Sequence, residues 1–349
     1  MAYNPAEQAA MSRALELAET PGVPAGPNPR VGCVILAADG SVAAEGFHRG
    51  AGSPHAEVDA LRQAGDRARG ATAVVTLEPC NHTGRTGPCA VALADAGIAR
   101  VVYAQSDSNP VALGGAETLK AAGVDVEGGL MAARARAVNR EWTFAVEHGR
   151  PFVTWKFATT LDGRSAAADG TSRWVSSPAA RLDTHRLRAL CDTVLVGTGT
   201  VLVDDPQLTV RDEHNRNLPR DRQPLRAVMG MRDLARDRRV LDDAAETVVL
   251  RTRDPHEALE QLFARDRQHV FLEGGPTLAA AFLRDGLVDE VVTYVAPMLL
   301  GSGRSAVADL GVGTIADALH LDVIDATVVG DGAETNVRLI MTPHRKAKT

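Results

Sequence analysis

Two cysteines of this chain lie in one short segment whose residue types could bind a metal. The segment LEPCNHTGRTGPC, residues 77–89, separates Cys80 from Cys89 by eight residues, and His55 lies upstream in the motif HAE. Thiolates and imidazoles are ligands that zinc prefers in proteins. The spacing is compatible with a disulfide, with a closed structural metal site and with a zinc site that keeps one position open for catalysis.

The disulfide is disfavoured by the cysteine content and by the N-terminus. The chain has four cysteines in 349 residues, and residues 1–20 carry charges throughout instead of the continuous apolar core of a signal peptide. These features predict a reducing cytoplasmic location, where stable disulfides are rare. Cys33 and Cys191 are expected to be small, buried apolar side chains.

An open zinc site accounts for more residues than a closed one. His55, Cys80 and Cys89 supply three ligands and leave the fourth tetrahedral position for water. Glu57 then gains a role, because it can take a proton from that water and pass it to a departing amine. A closed site with His82 as the fourth ligand leaves Glu57 unexplained, although His55 or Glu57 taken alone is typical of an ordinary helix start. The order of H-x-E and two later cysteines is typical of zinc deaminases.

Three segments of the second half combine a strand pattern with glycines or a turn. They are TWKFATTLDGRSAAADGTSRW (154–174), VLVGTGTVLVDDPQLTVR (194–211) and FLEGGPTLAAAFL (271–283). The first places Lys156 within a strand, the second runs from a strand into a Gly-x-Gly turn, and the third joins a strand to a helix that begins at Pro276. A glycine pair there lets a phosphate approach backbone N–H groups at a helix N-terminus, and it is equally typical of an ordinary turn.

Other residues in these segments have ordinary interpretations as well. Asp204 and Asp205 are typical of a turn before proline, and Lys156 is typical of a side chain that lays its stem along apolar surface. No G-x-G-x-x-G follows the opening strand of the second half, so a nicotinamide cofactor there requires a fold other than the Rossmann fold.

The elements that must position these residues follow an α/β alternation in both halves. A helix from Pro5, a hairpin around ADGS and alternating helices and strands fill the first half, and strand patterns such as TVLVGTG, LRAVMG and HVFLEGG recur in the second. A chain of 349 residues is long enough for two domains. We predict domains at residues 1–147 and 148–349, each with its own core and site.

Charge excludes some function classes. The net charge of −6 and the pI near 5.9 argue against wide contact with a nucleic-acid backbone, while a local arginine cluster can still hold one phosphate. No segment has the apolar length of a membrane span. Small anionic ligands are therefore favoured over polymers and membranes as partners.

The segments NPRVGCVI, HAE and LEPCNHTGRTGPC together resemble the deaminase half of the bifunctional riboflavin-biosynthesis deaminase/reductase. The long spacing between the two cysteines distinguishes this family from nucleoside and tRNA deaminases. The resemblance implies a cytidine-deaminase-like, three-layer α/β fold. Gly87 is a departure, since the family usually has a second proline before Pro88, but it removes no ligand. Contacts to the pyrimidine or the ribose phosphate are implied for Asn28, His48, His82 and Arg85.

The three segments of the second half resemble the reductase half of the same family, in the expected order and over nearly the whole chain. The resemblance implies a fold similar to dihydrofolate reductase, with Lys156 beside the reacting ribose. The implied NADPH site comprises Ala158, Trp174, Thr200, Asp204, Gly275, Pro276, Thr277, Leu278, Ala279, Ala280 and Ala281. The implied substrate site comprises Ser172, Arg188, Leu208, Arg211 and Glu273.

The resemblance also implies an activity and its cofactors, Zn²⁺ and NADPH. We expect zinc-dependent deamination of 2,5-diamino-6-ribosylamino-4(3H)-pyrimidinone 5′-phosphate, and then NADPH-dependent reduction of the ribosyl group of 5-amino-6-(5-phosphoribosylamino)uracil to ribityl. The alternatives are a deaminase with a non-catalytic second domain, a nucleic-acid editing deaminase and a zinc-stabilised scaffold. The formation of a homo-oligomer is left open by the sequence.

One departure concerns the choice between NADPH and NADH. The family generally places an Asp-Ser pair after the strand that matches LRAVM, whereas this chain has Gly230 and Met231 there. Arg232 follows directly and could bind the 2′-phosphate in place of the missing serine. The alternative is that Arg232 is a solvated loop residue.

Overall fold

The fold is that of a computed structural model, which describes residues 3–24, 26–82 and 87–344. The chain divides into two compact units, Met1–Gly149 and Arg150–Thr349. The expected boundary follows residue 147, two residues before this division (149 − 147 = 2). Within the described ranges, every helix is too short or too polar to cross a membrane.

The first unit alternates helices with strands. Its helices, as far as the structure describes them, are α1 (Pro5–Ala18), α2 (Ala56–Ala64), α3 (Cys89–Asp95), α4 (Gly115–Ala121), α5 (Ala132–Val138) and α6 (Arg140–His148), with a 3-10 turn at Gly65–Ala68. Its strands are β1 (Gly32–Leu36), β2 (Val42–Phe47), β3 (Thr72–Leu77), β4 (Arg100–Gln105) and β5 (Asp125–Gly128). The strands form one sheet in the order β2-β1-β3-β4-β5, in which β1 is antiparallel to both neighbours and β3, β4 and β5 are parallel.

Helices cover both faces of this sheet, which explains why β1 is apolar along its whole length. Successive side chains of a strand point to opposite faces. Val34 of β1 accordingly packs with Met11 of α1, whereas Ile35 packs with Ala60 of α2. All five residues of β1 are buried. The result is a three-layer arrangement of helices, sheet and helices.

The second unit is built around a longer sheet. Its strands are β6 (Phe152–Thr160), β7 (Arg164–Ala167), β8 (Thr193–Gly197), β9 (Leu225–Met229), β10 (Thr247–Leu250), β11 (His269–Leu272), β12 (Glu290–Ala296), β13 (Gly303–Ser305), β14 (Leu321–Val329) and β15 (Asn336–Pro343). Its helices, within the described residues, are α7 (Pro178–Arg188), α8 (Thr198–Asp204), α9 (Pro255–Phe263) and α10 (Pro276–Arg284), with 3-10 turns at Arg220–Arg222, Arg239–Leu241, Ile315–Asp317 and Gly332–Glu334.

Eight of these strands form the sheet β10-β9-β8-β11-β6-β12-β15-β14, while β7 and β13 form a separate ribbon. The first six strands in this order, β10, β9, β8, β11, β6 and β12, are parallel to one another, and β15 is antiparallel to both of its neighbours. Leu195 of β8 packs on the face covered by α9 and α10, and Val194 and Val196 pack on the opposite face with Val201 of α8. In an open parallel sheet, ligands bind beyond the carboxyl ends of the strands.

Two segments differ from the pattern expected from the sequence. The Gly-x-Gly segment is not a turn, because Gly197 caps the N-terminus of α8 and residues 198–204 are helical. Thr200 and Asp204 therefore lie on a helix. The strand β14 was not anticipated, because it is an edge strand whose Asp322 and Asp325 interrupt the apolar pattern.

Candidate active sites

The three candidate metal ligands of the first unit, one histidine and two cysteines, come from the ends of separate elements. His55 is the N-cap residue of α2, Cys80 follows β3, and Cys89 is the first residue of α3 after Pro88. Their placement depends on close packing of α2 on β2, since a Cβ at Gly46 would lie 2.4 Å from the carbonyl oxygen of Ala56. A glycine is required at that position so that the helix start can approach the sheet.

The ligand atoms of His55, Cys80 and Cys89 lie within 4.8 Å of one another. Nδ1 of His55 is 3.2 Å from Sγ of Cys89 and 3.6 Å from Sγ of Cys80. The Cys89 thiol and His55 both hydrogen-bond the Cys80 sulfur, and these hydrogen bonds lower the pKa of Cys80 well below its usual range. A thiolate at Cys80 is what metal ligation requires. All four cysteines are free thiols, so the disulfide interpretation is wrong.

Glu57 is buried beside this group. Its side chain is on the first turn of α2, is 4% exposed, and forms a hydrogen bond with the Cys89 thiol. Burial raises the pKa of Glu57 to about 7, because the carboxylate loses its hydration. A carboxyl buried next to potential metal ligands is not the solvated helix residue of the alternative interpretation.

Asn28 and His48, both implied as substrate contacts, lie together next to the ligand group. Nδ2 of Asn28 is 2.9 Å from Nε2 of His48, and Nδ1 of His48 is 3.0 Å from the carbonyl oxygen of Pro54. Because a carbonyl oxygen only accepts, Nδ1 of His48 carries the proton. The His48 ring lies edge-on to the His55 ring with 5.4 Å between centroids. Burial lowers the pKa of His48.

The structure describes His82 but not Arg85, the two remaining residues of this unit that the resemblance implied as substrate contacts. Nδ1 of His82 is buried and has no hydrogen-bond partner among the described residues, so it is available to a ligand. His82 does not belong to the group of three ligands found in the described ranges, which disfavours the closed four-ligand site. Arg85 lies outside the described residues. Cys33 is fully buried and Cys191 is 5% exposed, as expected for apolar side chains.

Glu78, two residues before Cys80, supports this segment and was not identified in the sequence. Its buried carboxylate accepts hydrogen bonds from the backbone N–H groups of Asp107 (3.4 Å) and Ala116 (3.2 Å). These bonds tie the segment around Cys80 to the loop after β4 and to the first turn of α4. The adjacent sequence Glu-Pro-Cys gave no indication of these partners, because they lie far away along the chain.

The second unit contains a cavity of about 510 Å³ whose lining residues are mostly polar or charged. Seven of its lining residues were implied by the resemblance: Lys156, Ser172, Trp174, Arg188, Asp204, Leu208 and Arg211. Others were not anticipated, among them Arg173, Arg181, His185, Gln207, Thr209 and Arg239. The strand and helix pattern of the sequence gave no indication that these six face the same space.

Lys156 and Glu273 form the largely buried charged centre of this site. Nζ of Lys156 is 3.8 Å from Oε1 of Glu273, and Nε of Arg188 donates to Oε2 of Glu273 over 2.8 Å. Burial lowers the pKa of Lys156, and the Glu273 carboxylate opposes that shift. The pKa of Glu273 is itself lowered, although burial raises it, because the charges of Arg188 and Lys156 outweigh the burial. The Glu273 carboxylate is thus flanked by two cations, Lys156 and Arg188, that line the cavity.

The cavity has a strong excess of positive charge. Arg173, Arg181, Arg211 and Arg239 line it, and within the described ranges none of the four forms an ion pair with a carboxylate. The Arg181 guanidinium instead lies over the exposed Trp174 ring, 4.4 Å from its centroid. This arrangement suits an anionic ligand.

The implied NADPH residues divide into two groups. Trp174 and Asp204 line the cavity, whereas Ala158, Thr200 and the segment from Gly275 to Ala281 do not. The segment forms the N-terminal part of α10, where Ala279 and Ala280 are buried in the core. Since the N–H groups of Leu278 and Ala279 bond to the Gly275 carbonyl, only Gly275 and Thr277 can offer N–H groups at this helix end.

Arg232 lies beside the start of α8. A Cβ at Gly199 would be 3.3 Å from Nη2 of Arg232, so the guanidinium reaches the first turn of that helix. The loop carrying it is fixed by Arg251, which donates to the Met231 carbonyl over 3.2 Å and to the Asp233 carboxylate over 2.6 Å. Arg232 thus lies close to the helix that carries Thr200 and Asp204.

Comparison with known proteins matches each unit to a different family model. A family model described as the cytidine and deoxycytidylate deaminase zinc-binding region matches residues 5–105, and one described as the RibD C-terminal domain matches residues 151–334. The riboflavin biosynthesis protein RibD of Mycobacterium tuberculosis is 52% identical over 305 residues, covering 87% of this chain and 89% of the relative. RibD of Escherichia coli is 42% identical over 340 residues, covering 88% and 92%.

Solved structures agree with these matches. RibD of Acinetobacter baumannii is 39% identical, with a TM-score of 0.88 over 97% of this chain and 99% of that chain. A diaminohydroxyphosphoribosylaminopyrimidine deaminase/5-amino-6-(5-phosphoribosylamino)uracil reductase from Thermotoga maritima is 31% identical, with a TM-score of 0.82 over 97% and 99%. These similarities confirm the fold class expected for both halves.

Proposed function

The chain belongs to the RibD family of riboflavin-biosynthesis proteins, and from that membership we propose which of its residues carry out the two reactions. It is a bifunctional enzyme with a zinc-binding deaminase domain and a reductase domain. The observation that supports the assignment most is the presence of two separate buried centres, His55–Cys80–Cys89 with Glu57 and Lys156–Glu273–Arg188, one in each unit.

Zinc fits the donor set of the first unit. Two thiols and one imidazole are the donors that zinc selects, and three protein ligands are typical of a catalytic site. We assign His55, Cys80 and Cys89 as these ligands. When bound, zinc lowers the pKa of a coordinated water towards ~7 and so makes a nucleophile available at neutral pH.

In the deaminase, the residues around the ligands have distinct tasks. Glu57 takes a proton from the attacking water and delivers it to the leaving amine, which its buried position beside Cys89 allows. Asn28 and His48 hold the pyrimidine, because their hydrogen bond fixes both side chains next to His55. The unpartnered Nδ1 of His82 offers a further contact to the substrate.

In the reductase, we propose that NADPH is the cofactor, and when bound it supplies a hydride to C1′ of the substrate. Lys156 holds a proton near the ribose ring oxygen, which needs one when the bond from C1′ to that oxygen breaks. Glu273 keeps Lys156 charged despite its burial, and Arg188 neutralises the second oxygen of Glu273. Trp174, Asp204, Thr200, Ala158 and the start of α10 are assigned to the cofactor, and Ser172, Leu208 and Arg211 to the substrate.

Mass spectrometry of the reaction products tests this function. The purified enzyme is incubated with 2,5-diamino-6-ribosylamino-4(3H)-pyrimidinone 5′-phosphate, with and without NADPH. We expect the deaminated ribosyl compound alone without NADPH, and its ribityl form with NADPH. Deamination without any NADPH consumption would instead support a non-catalytic second domain.

The two units are expected to act independently, as each has its own core and site. A fragment of residues 149–349 should fold and reduce the deaminated intermediate with NADPH, because the described contacts of Lys156, Glu273 and Arg188 all lie within Arg150–Thr349. Circular dichroism and NADPH oxidation measure the two properties. A folded fragment that does not bind NADPH would place cofactor contacts in the first unit and contradict the assignment.

Arg232 is proposed to select NADPH over NADH by binding the 2′-phosphate. Arg232→Ala is expected to weaken the binding free energy for NADPH by roughly the 1.5–3 kcal/mol of a hydrogen bond to a charged group, and so to raise the Kd for NADPH. The Kd for NADH should change far less. Titration with NADPH, NADH and 2′,5′-ADP measures this without turnover. Arg236→Ala, an exposed residue of the same loop, is the control for lost charge. Equal effects on NADPH and NADH would contradict the proposal.

A further inference from the structure

Arg239 has a fixed backbone and a guanidinium without an acidic partner. Its N–H donates to Oδ1 of Asp205 over 3.1 Å, and its carbonyl accepts from Nη1 of Arg226 over 3.4 Å. Within the described residues its side chain forms no ion pair, whereas the adjacent Arg238 lies 4.0 Å from the Asp205 carboxylate. The residue begins the 3-10 turn Arg239–Leu241, and its side chain lines the cavity of the second unit.

Arg226 holds the backbone around Arg239 in place. Its side chain is completely buried, and its guanidinium donates to the Asp242 carboxylate over 2.7 Å and to the Ala245 carbonyl over 2.6 Å. It also donates to the backbone carbonyl of Gln207, over 3.2 Å. A fully buried arginine whose donors are satisfied in this way holds the backbone at Gln207 and the segment 239–245 in one arrangement.

The same network orients a second cavity arginine. Gln207 donates to the Asp242 carboxylate over 2.7 Å, and its own amide oxygen accepts from Nη2 of Arg211 over 3.1 Å. Nη1 of Arg211 is held by Asn215 over 3.0 Å. Neutral oxygens thus direct Arg211 without cancelling its charge.

Arg211 and Arg239 are close enough to repel each other. The pKa of Arg211 is lowered, first by burial and then by the charges of Arg239 and Arg188. Arg188 already has Glu273 as its counter-ion, but the other two arginines have none in the part of the chain that the structure describes. Two neighbouring cations that repel each other are stabilised by a dianion placed between them.

We propose that Arg239, together with Arg211, binds the 5′-phosphate of the reductase substrate. This inference rests on the proposed function, in which the ribose reacts beside Lys156, and it adds a residue that the resemblance did not imply. The phosphate of NADPH has the same chemistry. The substrate phosphate is favoured because Arg239 lies with Arg211, whereas the start of α10 does not line the cavity.

Steady-state kinetics of Arg239→Ala test the proposal. With the deaminated intermediate we expect KM to rise about tenfold with little change in kcat, the lower end of the effect of a hydrogen bond to a charged group because the side chain is exposed. KM for the enzymatically dephosphorylated intermediate should rise far less. Arg239→Lys should recover part of the loss, and Arg236→Ala, with the same loss of charge outside the cavity, should resemble the wild type.

Equilibrium titrations distinguish the phosphate of the substrate from that of NADPH. They also separate a failure of the Arg239 proposal from a failure of the reductase assignment. Ribose 5-phosphate should bind more weakly to Arg239→Ala, while the Kd for NADPH stays unchanged. A raised Kd for NADPH would assign Arg239 to the cofactor and overturn the proposal. Equal KM changes for the phosphorylated and dephosphorylated intermediates, or an unchanged KM for both, would also overturn it. If the wild type does not reduce the intermediate, the reductase assignment fails, and the ribose 5-phosphate titration still decides the role of Arg239.

Discussion

Glu57→Gln is expected to lower kcat for deamination by about 10²–10⁴, the usual contribution of a positioned general acid and base. Glutamine has nearly the same shape as glutamate, so the buried position beside Cys89 remains filled. It cannot take a proton from water, so both proton transfers lose their carrier. The amount of ammonia or deaminated product formed per second measures the loss.

Zinc content separates this effect from damage to the metal site. Glu57→Gln should retain about one zinc per chain, since the three ligands are intact. Cys80→Ser is the matched variant that should lose both zinc and deamination, measured by metal analysis of the purified protein. Both variants should still reduce the deaminated intermediate with NADPH, because the reductase centre is in the other unit. A Glu57→Gln enzyme that deaminates at the wild-type rate would show that Glu57 is not the proton carrier.

Lys156→Met is expected to lower kcat for reduction by about 10²–10⁴ and to leave deamination unchanged. Methionine fills a similar volume but carries no proton for the ribose ring oxygen. The Glu273 carboxylate keeps Arg188 as its counter-ion, so the variant does not leave an unpaired buried charge. NADPH oxidation under saturating substrate measures kcat.

Measurements of NADPH binding show whether the lost kcat reflects a lost proton donor or lost cofactor binding. The Kd for NADPH should change little in Lys156→Met, because the ammonium is assigned to the ribose and not to the cofactor. Lys120→Met, which removes an exposed lysine from α4 of the first unit, is the control for the change in net charge. If Lys156→Met loses NADPH binding and keeps kcat at saturating cofactor, the residue binds the cofactor and is not the proton donor.

The candidate metal-ligand group could be predicted from the sequence because short-range features specify it. Cys89 follows Pro88 at a helix start, and His55 and Glu57 lie two residues apart at another. The structure brings together His55, Cys80 and Cys89, all three of which the sequence had identified as candidate ligands. The α/β alternation was also readable, since strands buried on both faces are apolar along their length.

The sequence was less informative where residues meet through long-range contacts. Arg188 and Glu273 are 85 positions apart, and Glu78 accepts from Ala116 across 38 positions. Spacing along a chain indicates which side chains share one face of one element, but it does not indicate which loops of different strands converge. The pairing of Asn28 with His48 and the network around Arg226 arise only from the folded sheet.

The sequence by itself therefore determined the chemistry that this protein can perform, and the tertiary structure decided where its charges are fixed. Candidate zinc ligands, a carboxyl group and glycine-rich strand ends are recognisable by residue type and order, because each depends on a few neighbouring positions. Whether an arginine is a counter-ion or an unpaired cation depends on which carboxylates lie near it after folding. Arg238 and Arg239 are adjacent in the sequence, yet only Arg238 has a carboxylate partner among the described residues, because its side chain reaches Asp205 while that of Arg239 lines the cavity.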